Sequence, residues 1–175
     1  MRGNILFLFV EGDDDKRFFE GIVGPKLKKD IQLRIWQYSQ VKQQKTDNFV
    51  KSTNRLGEYL FIKDKDSEPC IRVKKQKIVQ EIVSLEIDKI VIVNHEIESW
   101  YIAGLNVQKC QELKIKFVTN AEKLTKEQFN RALPKKPRIE MLPLIIENYD
   151  IETAKCRNSS FRYLMRKLSE QGFLV

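Results

Sequence analysis

Residues 5–15 read Ile-Leu-Phe-Leu-Phe-Val-Glu-Gly-Asp-Asp-Asp, and this stretch decides the fold. A strand with one wet face alternates apolar and polar residues. The unbroken apolar run from Ile5 to Val10 instead describes a strand covered on both faces, as in a parallel sheet. Acids follow it where a signal-peptide cleavage site would need small residues, so the run is read as a buried strand. Two later stretches repeat the plan. Tyr59-Leu60-Phe61-Ile62-Lys63 runs into Asp64-Lys65-Asp66, and Ile90-Val91-Ile92-Val93-Asn94-His95 runs into Glu96-Ile97-Glu98.

Helical patterns lie between and after these runs. Residues 13–28 read as a helix whose later part is disturbed by Gly24-Pro25. Ile31, Leu33 and Ile35 alternate with Gln32 and Arg34, which describes a half-exposed strand at an edge. Residues 38–46 read as a polar loop, with Asp47 capping a short helix to about Arg55. Residues 71–86 and 98–105 are helical. So are 121–131, 138–148 and 159–170, the last capped by Asn158-Ser159-Ser160. Strands alternating with helices predict an α/β fold, mainly a parallel sheet flanked by helices, with a helical C-terminal segment. The expected division is an α/β core over 1–118 and a helical segment over 119–175, packed on the core or appended to it.

The 175-residue chain is long enough to bury a core without staples, and its 42% apolar and 32% charged content is that of a globular domain. No apolar run approaches the ~20 residues of a membrane span. Three scattered cysteines with no CxxC fit a reduced, cytoplasmic setting, and a single histidine, His95, excludes a multi-histidine metal site. Any chemistry therefore rests mainly on carboxylates. The net charge of +8 favours a polyanionic partner, nucleic acid (DNA or RNA) ahead of an anionic membrane surface. No membrane partner is expected, whereas a homodimer or a larger complex is compatible with the sequence.

In an open parallel sheet, ligands bind beyond the carboxyl ends of the strands. The three acidic groups are therefore expected at one mouth. Two carboxylates ~4 Å apart repel by about 4 kcal/mol at an effective dielectric of 20, and a divalent cation removes that cost. Mg²⁺ takes hard oxygen ligands of this kind, with Mn²⁺ as a substitute. In an extended segment Asp64 and Asp66 would face the same way. Gly12 would permit a tight turn and close approach of a phosphate. Plainer roles exist for each group. Asp13, Asp14 and Asp15 suit the first turn of a helix, Asp64 and Asp66 suit a turn, and Glu96 and Glu98 suit a helix start. His95 is a ligand, a base or a structural residue, and Trp100 belongs in the core. Arg17 and Lys63 flank the mouth as phosphate ligands or solvated charges.

With Val10-Glu11-Gly12 at the first strand end, Asp15 and Phe18-Phe19 behind it, and Asp64-Lys65-Asp66 at a later strand end, the chain resembles a TOPRIM domain. This is the Rossmann-like metal-binding fold of topoisomerases, primases and OLD-family nucleases. Glu96-Ile97-Glu98-Ser99-Trp100 and Ser159-Ser160-Phe161 resemble segments of the OLD-like, stand-alone branch. The resemblance covers about residues 4–105 and extends loosely over the tail. It implies Glu11 as general acid or base and Asp64 and Asp66 as catalytic Mg²⁺ ligands. Glu11, Glu98 and Glu96 are further candidate ligands, and Gly12, Asp15, Arg17, Lys63 and Lys65 candidate contacts to phosphate. Lys63, directly before the first aspartate, and Ser67-Glu68-Pro69 after the second depart from the family pattern.

The function expected first is that of a small Mg²⁺-dependent nucleic-acid phosphodiesterase. The alternative is a catalytically silent nucleic-acid-binding or complex-assembly module on the same fold. A phospho-receiver would need a hydroxyl residue and a lysine at later strand ends, which are not found here. A P-loop enzyme would need GxxxxGK[ST], which is absent.

Overall fold

A computed structural model describes residues 4–175. Its centre is a four-stranded parallel sheet of β1 (Ile5–Val10), β2 (Gln32–Gln37), β3 (Glu58–Asp64) and β4 (Ile90–Val93), in the order β2-β1-β3-β4. β1 pairs with strands on both sides, Phe9 lying opposite Trp36 of β2 and Phe61 of β3. A strand so enclosed has no wet edge or face, which is why residues 6–10 are all apolar and all buried. β2 ends the sheet, and its alternating exposure is that of the half-exposed edge strand expected from Leu33 and Ile35.

The pleat sorts side chains into two sets. Phe7 and Phe9 of β1 share a buried cluster with Tyr59 and Phe61 of β3 and Ile90 and Ile92 of β4. Val50 of α2 (Gln43–Thr53) and Ile78 of α3 (Ile71–Glu81) complete that layer. Phe9 stacks on Phe61 with centroids 6.1 Å apart and meets Tyr59 edge-on at 6.0 Å. Each such side chain contributes about 1.5–3 kcal/mol by leaving water. Leu6, Leu8, Val10, Leu60 and Ile62 form the alternate set and are equally buried. At the start of β3 the backbone of Gly57 lies against β1. A Cβ there would stand 2.3 Å from the Ile5 carbonyl oxygen, so only glycine fits.

The first helix is shorter than its sequence pattern. α1 (Asp13–Phe18) gives way to a π-turn over Phe19–Val23 and a 3₁₀ turn over Gly24–Lys26, where Pro25 supplies no N–H donor. α2 begins at Gln43, inside the stretch read as loop. Asp47 is therefore not its cap but an interior residue whose carboxylate accepts from the Ser84 backbone N–H at 2.8 Å. After β4 the chain is wholly helical: α4 (Glu98–Ala103), α5 (Val107–Glu112), α6 (Lys126–Ala132), α7 (Arg138–Glu147), α8 (Ile151–Arg157) and α9 (Ser159–Glu170). α5 and α8 escaped the sequence reading. Asn158 caps α9 as expected, its Oδ1 accepting from the Phe161 N–H at 3.0 Å.

The described residues up to Ile92 form one compact unit with Ser169–Val175, and Val93–Leu168 form a second. This division falls at the end of β4, where α4 packs against α6, α7 and α8. The last residues return to the first unit through a bridge between Leu174 and Leu27. Among the described residues, no helix is long and apolar enough to cross a membrane.

Candidate active site at the carboxyl edge of the sheet

Glu11 directly follows β1 and Asp64 is the last residue of β3, so adjacent parallel strands deliver both carboxylates to one edge of the first unit. The pleat decides their neighbours. Glu11 continues the series Phe7, Phe9, and Lys63 continues Tyr59, Phe61. The side chain across from Glu11 is therefore Lys63, whose Nζ donates to Glu11 Oε2 at 3.1 Å. Asp64 belongs to the alternate series of Leu60 and Ile62, and its Oδ1 is buried.

The expectation that Asp64 and Asp66 face the same way requires an extended backbone, and the backbone turns at this point. Asp66 has φ 53°, in the left-handed region that aspartate tolerates better than most residues. Its carboxylate is half-exposed and accepts from Lys74 Nζ of α3 at 2.6 Å. His95, two residues beyond β4, has a similar φ of 61°.

Tyr38, just after β2, reports how the acids are gathered. Burial, and then the charges of Glu11, Asp15, Asp64 and Asp66, push its phenol well above the ordinary value of 10.0. Four carboxylates from two strand ends and a helix thus act on one hydroxyl. That hydroxyl donates to the Ile62 carbonyl at 2.8 Å, and its ring stacks on Phe61 at 4.5 Å and 17°. Lys63 Nζ lies 5.5 Å from the Tyr38 ring centroid. Tyr38 carried no signal in the sequence, because it falls in a stretch read as loop.

The remaining candidates of this unit have local partners. Asp15 is buried and accepts from the Gly12 N–H at 3.2 Å, closing the first turn of α1. Arg17 pairs with Asp14 at 2.9 Å. Lys65 lies in the turn after β3, its carbonyl accepting from the Glu68 N–H at 3.3 Å. Gly12 does not need to be glycine for its backbone: φ −149° and ψ −167° are extended, and a Cβ would meet only Asp15 Oδ2, at 4.0 Å. The strand-to-helix turn is tight, with only Glu11 and Gly12 between β1 and α1, but its backbone does not require glycine, and what the missing side chain leaves is open space before Gly12.

Glu96 and Glu98 stand in the second unit with partners there. Glu96 Oε2 accepts from the Lys126 N–H at the start of α6. Glu98 is 4% exposed and accepts from Arg138 Nη2 at 2.7 Å. Trp100 is fully buried, as expected of a core residue, and donates to Ser160 Oγ at 2.8 Å. Ser160 and Ser159 belong to a polar network with Asn94, Asn158 and Glu122 that ties the end of β4 to the start of α9.

The donor set of the first unit suits a hard divalent cation in kind, since Glu11, Asp64 and Asp66 offer only carboxylate oxygens. In the present arrangement Lys63 and Lys74 hold two of those groups. Among the described residues, no three His, Cys, Asp or Glu side chains are drawn together tightly enough to hold a metal. A cation entering here would have to displace the ammonium groups.

Fold and site together define an α/β protein with a 2-1-3-4 parallel sheet and a carboxylate–lysine cluster at its carboxyl edge. No family model, curated protein or solved structure matches the chain.

Proposed function

We propose that the protein is a small Mg²⁺-dependent nucleic-acid phosphodiesterase related to the TOPRIM domains. One observation carries the proposal: the adjacent parallel strands β1 and β3 bring Glu11 and Asp64 to the same carboxyl edge, with Asp66 in the turn that follows. The order of a Glu-Gly pair and an Asp-x-Asp triplet at two strand ends agrees with the family resemblance. Asp64 and Asp66 would hold the ion, with Glu11 beside them, and Mn²⁺ would substitute. Such an ion supplies charge neutralisation at a scissile phosphate and a more acidic bound water. Glu11, half-exposed at the strand tip, is the residue to take or give a proton. Lys63, Lys65 and Arg17 lie on the same segments and suit contacts to phosphate, within a chain of net charge +8.

A second reading has its own observation. Glu11 and Asp66 already have lysine counter-ions, so the cluster is balanced without a metal. That balance suits a nucleic-acid-binding or complex-assembly module with no turnover. Calorimetric titration with Mn²⁺ separates the two. The phosphodiesterase reading predicts a site lost in Asp64→Asn. It also predicts tighter binding in Lys63→Met, by up to about fivefold, the worth of a part-exposed ion pair. No Mn²⁺ binding in the folded wild type, together with EDTA-insensitive binding of nucleic acid, would favour the module.

A further inference from the structure

We infer that the cleft beside Glu11 and Lys63 receives the base of an unpaired nucleotide, so that the substrate of this edge is single-stranded or locally opened nucleic acid. The inference deepens the phosphodiesterase reading and rests on it for the position of the phosphate. The cleft lies wholly within the first unit and has a volume of about 300 Å³. That is the low end of the ~300–1,000 Å³ range of small-molecule pockets, room for one base or nucleoside and too little for a duplex.

Its lining has the two characters a base requires. Tyr38 brings an aromatic ring to the wall, backed by Phe61 stacked behind it at 4.5 Å, and Val41 and Ile82 extend the apolar surface. Thr46 and Gln43 of α2 bring hydroxyl and amide groups to the same space, which suits the polar edge of a base. The Tyr38 hydroxyl is tied to Ile62 and the Gln43 amide donates to the Glu81 carbonyl, so ring and amide are held before any ligand arrives. Glu11 and Lys63 line this cleft as well as belonging to the carboxylate cluster. A nucleotide with its phosphate at Lys63 would therefore have its base directed at the aromatic wall. A base in a duplex is paired and stacked, and reaches such a pocket only when it is unpaired or flipped out.

The test is calorimetric titration of the full chain, in EDTA, with nucleoside 5′-monophosphates, ribose 5-phosphate and inorganic phosphate. The expected result is that the nucleotide binds roughly tenfold tighter than ribose 5-phosphate, the scale of one base–aromatic stack. Val41→Trp, which fills the cleft from its half-buried loop, should erase that difference while the thermal melt shows a folded protein. Equal affinity for nucleotide and ribose 5-phosphate in the wild type, or no binding of either, would overturn the inference. Cleavage in Mg²⁺ of a single strand with an abasic residue beside the target linkage separates the two proposals. Cleavage equal to that of the intact strand sinks the base pocket and leaves the phosphodiesterase standing. Base-dependent binding with no cleavage of any strand keeps the pocket and sinks the hydrolytic role.

Discussion

At the scale of single residues, two positions test what the edge is built to do. Gly12 has an extended backbone and open space where a side chain would stand. Alanine there should leave the fold intact and change stability by less than about 1 kcal/mol, the gain from a less flexible unfolded chain being offset by a poorer N-cap for α1. The same methyl group should weaken binding of a nucleoside monophosphate, since it fills the space left for a close approach. A denaturant melt and a titration of one variant measure both. Tyr38 tests the burial and the charge around its phenol. Its phenol is held above 10.0, so it stabilises the folded state fully below pH 10 and progressively less as the pH climbs through the raised value. Tyr38→Phe should cost about 0.5–1.5 kcal/mol near neutral pH, for the lost hydrogen bond to Ile62. The gap between wild type and variant should then narrow above pH 10 in melts run against pH. Tyr59 and Tyr149 are raised in the same direction, so an alkaline slope remains in the variant. A gap that stays constant to the alkaline limit would mean that neither burial nor the nearby acids hold the phenol above its ordinary value.

At the scale of elements, the strands were legible and their partners were not. Ile5–Val10, Tyr59–Ile62 and Ile90–Val93 announce themselves, because a strand covered on both faces must be apolar throughout. The acids at the strand ends follow from the same runs. Which carboxylate faces which neighbour does not, because that depends on register. Glu11 meets Lys63 and not Asp64, since Phe9 is opposite Phe61 and the pleat continues by twos. Asp66 escaped for another reason: a left-handed residue ends the extended pattern, and no alternation rule anticipates it. α5 and α8 were missed because each is short and buries a single side chain, Cys110 or Ala154, too little for a periodic signal. Gly57 shows how β1 and β3 are held in contact. Gly57→Ala should cost about 1–3 kcal/mol or more, because the obstacle is the backbone oxygen of Ile5 and not a side chain that can turn away. Thermal unfolding of that variant checks the estimate, and a melt unchanged from wild type would refute the close contact.

At the scale of the molecule, each compact unit holds its own charged groups in balance. In the first, Lys63 and Lys74 offset Glu11 and Asp66, and in the second, Arg138 offsets the buried Glu98. A buried or half-buried carboxylate without such a partner would lie in an unfavourable environment, so these cations stabilise the fold whatever else they do. The same balance gives the candidate site a choice between lysine and metal, and the excess of +8 in the chain as a whole favours an anionic polymer. The carboxylates at the ends of β1 and β3 are proposed to form a metal-dependent phosphodiesterase site. The most direct test is cleavage of supercoiled plasmid, single-stranded DNA and structured RNA by wild type and by Glu11→Gln/Asp64→Asn, in Mg²⁺, Mn²⁺ or EDTA. Metal-dependent cleavage should fall ~10²-fold or more in the double variant and stop in EDTA. Cleavage at the wild-type rate in a folded double variant, or none of any substrate by the wild type, would contradict it.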